Sequence, residues 1–352
     1  MLLARSASFF PLWGMALGLS VSLAGCATPI QVERADSEAE RRVEANVIST
    51  GELSEPTRIV LRQQNLSERV QVDPDGAIAQ LHQTVAAGGA GTDAVFALAE
   101  LSYRRTLDTG KPDYALAGAI YAYRFLFPDD PQQRPSAFDP RFRAACVIYN
   151  RGLARAFSTA DASKVELRAG QFALPFGSIQ ITYDPSAARW GDLRLSDFTP
   201  ADSLKVSGLE ALYRRPGIGA SLAAAASASS QSGLPIEPNV RVPVTALLRM
   251  DNLGHDLRQG RLTGTLEVHP AYEPSDLTIA GQTVPLEADT SKAFALSLTD
   301  PKVWESEFAG FLNGNLFDRT EAQLVSLEPY RTDQIPVVFI HGTGRAPAAG
   351  PT

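Results

Sequence analysis

Two cysteines in 352 residues are too few for a disulfide framework or a Cys-rich zinc module. Histidine is almost as scarce. His82, His255, His269 and His341 are the four present, and no two have metal-ligand spacing such as H-E-x-x-H. No G-x-x-x-x-G-K-[ST] phosphate loop occurs, and Gly217-Ile218-Gly219 alone does not make a dinucleotide site. No motif therefore asks for a metal or a cofactor. Positive charge is in deficit: 32 Lys and Arg against 39 Asp and Glu give a net charge of −7, with no basic cluster. That balance argues against a nucleic-acid partner. Long apolar runs are also missing. The longest apolar stretch, Phe9–Leu23, is interrupted by Pro11, Gly14 and Gly18. At about fifteen residues it falls short of the roughly twenty that a spanning helix needs.

What is present begins at the N-terminus. Arg5 is a sparse basic n-region, and Phe9–Leu23 has the length of a signal-peptide h-region. It runs into Leu23-Ala24-Gly25-Cys26, which resembles the bacterial lipobox. The resemblance implies removal of residues 1–25 as a signal peptide and acylation of Cys26. It also implies a lipid anchor that makes the membrane a partner. Ala27, which is not Asp, implies the outer membrane, facing the periplasm. An uncleaved signal anchor and a plain secretory peptide are the alternatives. With Cys26 lipidated, Cys146 has no partner, and it reads as a small buried hydrophobe.

Residues 26–49 are polar, with Glu40 beside Arg41 and Arg42, and read as a tether. Residues 50–160 read as a helical domain. A first short helix is expected over Pro56–Leu66. Asp73-Pro74-Asp75 gives an N-cap carboxylate, a Pro at the first helical position and an acid for the dipole, so a helix is expected to about Ala87. Further helices are expected from Thr92 to Leu107, from Lys111-Pro112 to Phe127 and from Asp139-Pro140 to about Ala160. The last carries one apolar stripe, Phe142, Ala145, Cys146, Tyr149, Leu153, Ala156 and Phe157. Ala115, Gly118, Ala119 and Ala122 on the preceding helix invite close approach of a neighbour. Helical hairpins of the tetratricopeptide kind and an ordinary bundle both fit, since no 34-residue consensus repeats.

Residues 165–330 read as a β-rich domain, either a sandwich or a curved sheet. Ser178–Thr182 and Leu262–Val268 alternate with period two, Asn239–Met250 is apolar and β-rich, and Leu277–Val284 reads as a hairpin around Ala280-Gly281. Gly217–Gly233, rich in Ala and Ser, reads as an exposed loop or linker, and Ser221 within it has no acid or His pattern that marks a nucleophile. His82 reads as a helix-surface or boundary residue. His255, between Asp251 and Asp256, reads as part of a turn marked by Asn252 and Gly254. His269 reads as structural at a strand end. Val303–Leu312 is expected to be an amphipathic helix and Leu324–Leu327 a strand.

Near the end, Val337–Ile340 is a fully apolar run of the kind buried on both faces of a parallel sheet, followed at once by His341-Gly342-Thr343-Gly344. A strand ending in His-Gly-x-Gly resembles the oxyanion-hole loop of the α/β-hydrolase family of lipases and esterases. A chance strand and turn is the alternative. The resemblance implies that residues 335–352 open an α/β-hydrolase domain and that the backbone N–H groups of Thr343 and Gly344 face a tetrahedral oxyanion. The family's nucleophile elbow, acid and catalytic His have no counterpart in this sequence, and no G-x-S-x-G occurs in it. The expected class is therefore a multi-domain α+β protein: a helical domain, a β-rich domain and the first strand of an incomplete α/β-hydrolase domain. Two functions follow. One is the N-terminal portion of an envelope-anchored ester hydrolase, with no serine-hydrolase activity in the chain as it stands. The other is a non-enzymatic envelope scaffold that binds a protein partner through its helical domain.

Overall fold

The computed structural model describes residues 45–228, 240–272 and 276–299, together with Ile335 and Val337. The tether up to residue 44, the expected helix at 303–312 and the expected strand at 324–327 lie outside the described residues. The described chain is mixed α+β, with eight α-helices and a mixed seven-stranded sheet.

Six described helices precede the sheet, and two of them start at a side-chain cap. They are α1 (Glu55–Gln63), α2 (Arg69–Val72), α3 (Pro74–Ala86), α4 (Thr92–Thr109), α5 (Pro112–Leu126) and α6 (Pro140–Ala156). Asp73 accepts the Gly76 amide at 2.9 Å and caps α3, and Asp139 accepts the Arg141 amide at 2.9 Å and caps α6. Each cap gives an otherwise orphaned first-turn N–H a partner. Along α6 the expected stripe faces inward: Ala145, Tyr149, Leu153 and Phe157 are buried, and Phe142, Cys146 and Ala156 pack at its margin. The small residues of α5 are where α6 comes closest. A Cβ on Gly152 would stand 2.8 Å from the Ala115 carbonyl oxygen, so glycine sets the spacing of these two helices.

The end of the expected tether is not free. Val47 is 2% exposed, and its amide donates to the buried carboxylate of Glu100 on α4. A polar composition does not reveal a single buried anchor of this kind.

The strands are β1 (Gly170–Leu174), β2 (Gly177–Tyr183), β3 (Arg189–Trp190), β4 (Leu193–Pro200), β5 (Arg214–Arg215), β6 (Ala220–Ala228), β7 (Arg241–Arg249), β8 (Arg261–Pro270), β9 (Asp276–Ile279), β10 (Gln282–Pro285) and β11 (Ala288–Asp289). The large sheet runs β1-β2-β8-β7-β6-β4-β3. Its pairs are antiparallel except β2 with β8, which is parallel. β9 and β10 form the expected hairpin, and β5 pairs with β11. A short helix, α7 (Leu253–Gln259), joins β7 to β8 where Asn252 and His255 were expected to lie in a turn. Another, α8 (Thr290–Ser297), packs on β7 and β6.

One expectation is corrected outright. Residues 220–228, inside the stretch read as a linker, are an interior strand, with β4 on one side and β7 on the other. Alanine has low intrinsic strand preference, but two paired edges outweigh it. Ala223 and Ala224 are fully buried, and α6 packs against this strand. Small side chains let a helix lie close to the sheet, so the composition that imitates a linker here serves close packing.

The switch from helical to β pattern falls between α6 and β1, near residues 160–165 as read. A single apolar cluster nevertheless includes Leu81, Tyr121, Tyr149, Ile179, Val244 and Leu266, so helices and sheet share their core. Among the described residues no helix is long and apolar enough to cross a membrane.

Candidate functional site

Cys26, His341, Gly342, Thr343 and Gly344 lie outside the described residues. Of the hydrolase-like stretch, Ile335 and Val337 are described. They are 91% and 72% exposed and belong to no strand. The burial expected of that run is thus not seen at Val337.

The three described histidines each meet a group other than serine. His255 Nδ1 lies 3.1 Å from Asp256, and His269 Nε2 lies 2.9 Å from Glu267. Glu267 also receives a two-point contact from Arg249, at 2.9 and 3.2 Å. Partial burial alone raises its carboxyl, but the hydrogen bonds from His269 and Arg249 outweigh that and hold it down at about 2. This is a fixed ion cluster on the sheet. His82 Nδ1 lies 2.8 Å from the hydroxyl of Tyr121. Ser221 Oγ accepts the amide of Asp289 at 3.0 Å. Burial pushes the Cys146 thiol up to about 12, with Glu287 nearby adding to the effect, so it stays a neutral thiol.

Two hollows gather polar side chains. The first lies where β6 leaves β7. Gly219, at φ +106°, turns the chain so that Ile218 bridges to Leu286 instead of continuing along β7. The Asn150 amide fills the opening: its nitrogen donates to the Gly217 carbonyl at 3.0 Å and to Glu287 at 2.7 Å, and its oxygen accepts the Gly219 amide at 2.7 Å. Beside it is a hollow of about 90 Å³ that also borders Arg151, Asp202, Arg214, Asp289 and Lys292. Arg214 pairs with Glu287 at 2.6 Å, Lys292 with Asp289 at 3.7 Å and Arg151 with Asp202 at 3.8 Å. Each charge has an answer within the protein, and the space is that of about three water molecules. This hollow holds the sheet together where it splits.

The second is larger, about 340 Å³, and mostly apolar. It is bordered by Ile78, Ala79 and His82 of α3, by Tyr114 of α5, and by Pro175 and Phe176 at the β1–β2 turn, with Asp75 and Gly76 at its rim. Phe176 stacks on the His82 ring with centroids 4.6 Å apart. Asp75 is held by Arg105 at 2.6 and 3.0 Å. Burial lowers the His82 pKa, and burial raises the fully enclosed Tyr121 phenol well above its ordinary value. Sequence reading places His82 on a helix as a surface or boundary residue, and it is half-buried within α3, but Tyr121 and Phe176 stand 39 and 94 positions away and no local pattern links them. Among the described residues no group of three or more His, Cys, Asp or Glu is placed to hold a metal ion.

No protein-family model matches the chain, and neither any curated protein nor any solved structure is significantly similar to it.

Proposed function

We propose that this chain is a lipid-anchored protein of the bacterial envelope, the N-terminal portion of an α/β-type ester hydrolase, whose described residues act as scaffold and not as catalyst. The observation that carries the reading is the presence in one sequence of a Leu-Ala-Gly-Cys site at Cys26 and a His341-Gly342-Thr343-Gly344 loop behind an apolar run. The first supplies an anchor. The second supplies backbone donors at Thr343 and Gly344 for an oxyanion. The packing of the described residues supports the scaffold role. Acyl transfer needs a nucleophile with a base in hydrogen-bond reach. The described histidines instead bond Tyr121, Asp256 and Glu267.

The envelope part is tested by cell fractionation and mass spectrometry of the chain expressed in a bacterium. Two or more acyl chains hold a protein firmly on a membrane, whereas one is marginal. The wild type is expected in the membrane fraction with a lipid-modified Cys26, and Cys26→Ser is expected to be released or misprocessed. Wild-type protein found wholly soluble and without lipid overturns the reading.

A further inference from the structure

We infer that the cavity between α3 and the β1–β2 turn is a binding site for a small, uncharged, partly apolar molecule with a carbonyl-type acceptor, with His82 Nε2–H as the donor that orients it. Three observations carry this. First, the space of about 340 Å³ bordered by Ile78, Ala79, Pro175 and Phe176 lies within the range of small-molecule pockets and shares their mostly apolar lining. Second, the Tyr121 side chain is fully buried and its hydroxyl lies 2.8 Å from His82 Nδ1. A phenol that keeps its proton donates it, so Nδ1 is the acceptor and the neutral ring carries its hydrogen on Nε2. The two ring nitrogens point nearly opposite ways. With Nδ1 directed at the buried Tyr121, Nε2 is directed away from the interior, and it has no hydrogen-bond partner among the described residues. Third, the other polar groups at the rim are already engaged. Asp75 is held by Arg105, at 2.6 and 3.0 Å.

The chemistry of the ligand follows from this. A cation finds Asp75 already neutralised, and an anion finds a neutral imidazole and an Arg105 already paired. A flat apolar body meets the Phe176–His82 stack, and a carbonyl oxygen meets a single N–H. The inference does not rest on the hydrolase-like reading.

The test uses prodan, an uncharged naphthyl ketone that fits the cavity by size and whose emission reports its surroundings. The full-length chain is titrated beside two variants. Ala79→Trp fills the cavity from an exposed position and removes no polar group. The double variant His82→Phe with Tyr121→Phe keeps the ring stack, removes the donor and leaves no orphan hydroxyl. The wild type is expected to bind one equivalent saturably, Ala79→Trp to lose saturable binding, and the double variant to bind about tenfold more weakly, the scale of one hydrogen bond. Equal affinity in the wild type and either variant, or no saturable binding by the wild type, overturns the inference. Circular dichroism of each variant checks that it is folded.

Discussion

The hydroxyl of Tyr149 takes the place of a missing strand for Leu248. It accepts the Leu248 amide at 2.8 Å and donates to the Leu248 carbonyl at 2.7 Å, 99 residues away in sequence. β6 follows β7 only as far as the pair Ala220–Ala246. Beyond that point Leu248 would present two unpaired backbone groups in the core, where each costs about as much as a lost hydrogen bond. A helix side chain satisfies both. The next residue, Asn150, does the same for Gly217 and Gly219 on the departing side. Two consecutive residues of α6 thus close the sheet where it splits.

Tyr149→Phe keeps the ring and removes this closure. Leaving a buried donor and acceptor unpaired costs about 1–3 kcal/mol each. A loss of about 3 kcal/mol in denaturant unfolding is expected, with faster amide exchange at Leu248. A loss below about 0.5 kcal/mol contradicts the assigned role.

Glu100 is a second buried anchor. It is fully buried and accepts from the amides of Val47 and Ser54, both at 3.1 Å, and from the hydroxyls of Ser54 and Thr57, both at 2.6 Å. Charge-assisted bonds of this length are the stronger kind. Glu100→Ala strands four donors at once, so a loss of about 3 kcal/mol or more is expected. Amide exchange should quicken first at Val47 and Ser54. Unchanged protection at those two positions contradicts the assignment.

Much of the fold was legible in the sequence because its signals are local. Asp73-Pro74 and Asp139-Pro140 carry cap and first turn together, and the period-two stretches at Ser178 and Leu262 did become β2 and β8. What stayed hidden depends on partners far along the chain. β6 is alanine-rich, and only pairing with β4 and β7 makes it a strand. Gly219 belongs to the same case. Its φ of +106°, and a Cβ position only 2.3 Å from Thr245, require glycine, yet in the sequence it is one of several glycines near a low-complexity run. The His82 pocket was illegible for a similar reason, since one helix contributes most of its lining and a second helix and a hairpin turn, far along the chain, supply the rest. The residues read as hydrolase-like, His341 to Gly344, lie outside the described part, and their role rests on resemblance alone.

His82 also sets a pH dependence. Burial holds its pKa below 6.5, so the unfolded chain takes up this proton first as pH falls. Its contribution to stability is complete above about 6.5, the ordinary value for histidine, and is lost as pH drops through the lower folded value. Wild-type stability should therefore fall more steeply between about pH 7.5 and 5 than that of the His82→Phe, Tyr121→Phe double variant, whose carboxylates are the same. Parallel stability curves for the two proteins contradict this.

In the proposed reading, residues 45–299 support chemistry and do not perform it. This reading is tested most directly by treating the purified chain with a serine-reactive phosphonate while following turnover of a short-chain activated ester. No turnover and no labelled serine, Ser221 included, are expected, because that hydroxyl accepts the Asp289 amide and none of the described histidines is bonded to it. Stoichiometric labelling of one of these serines, with ester turnover abolished when that serine is changed to alanine, would contradict it.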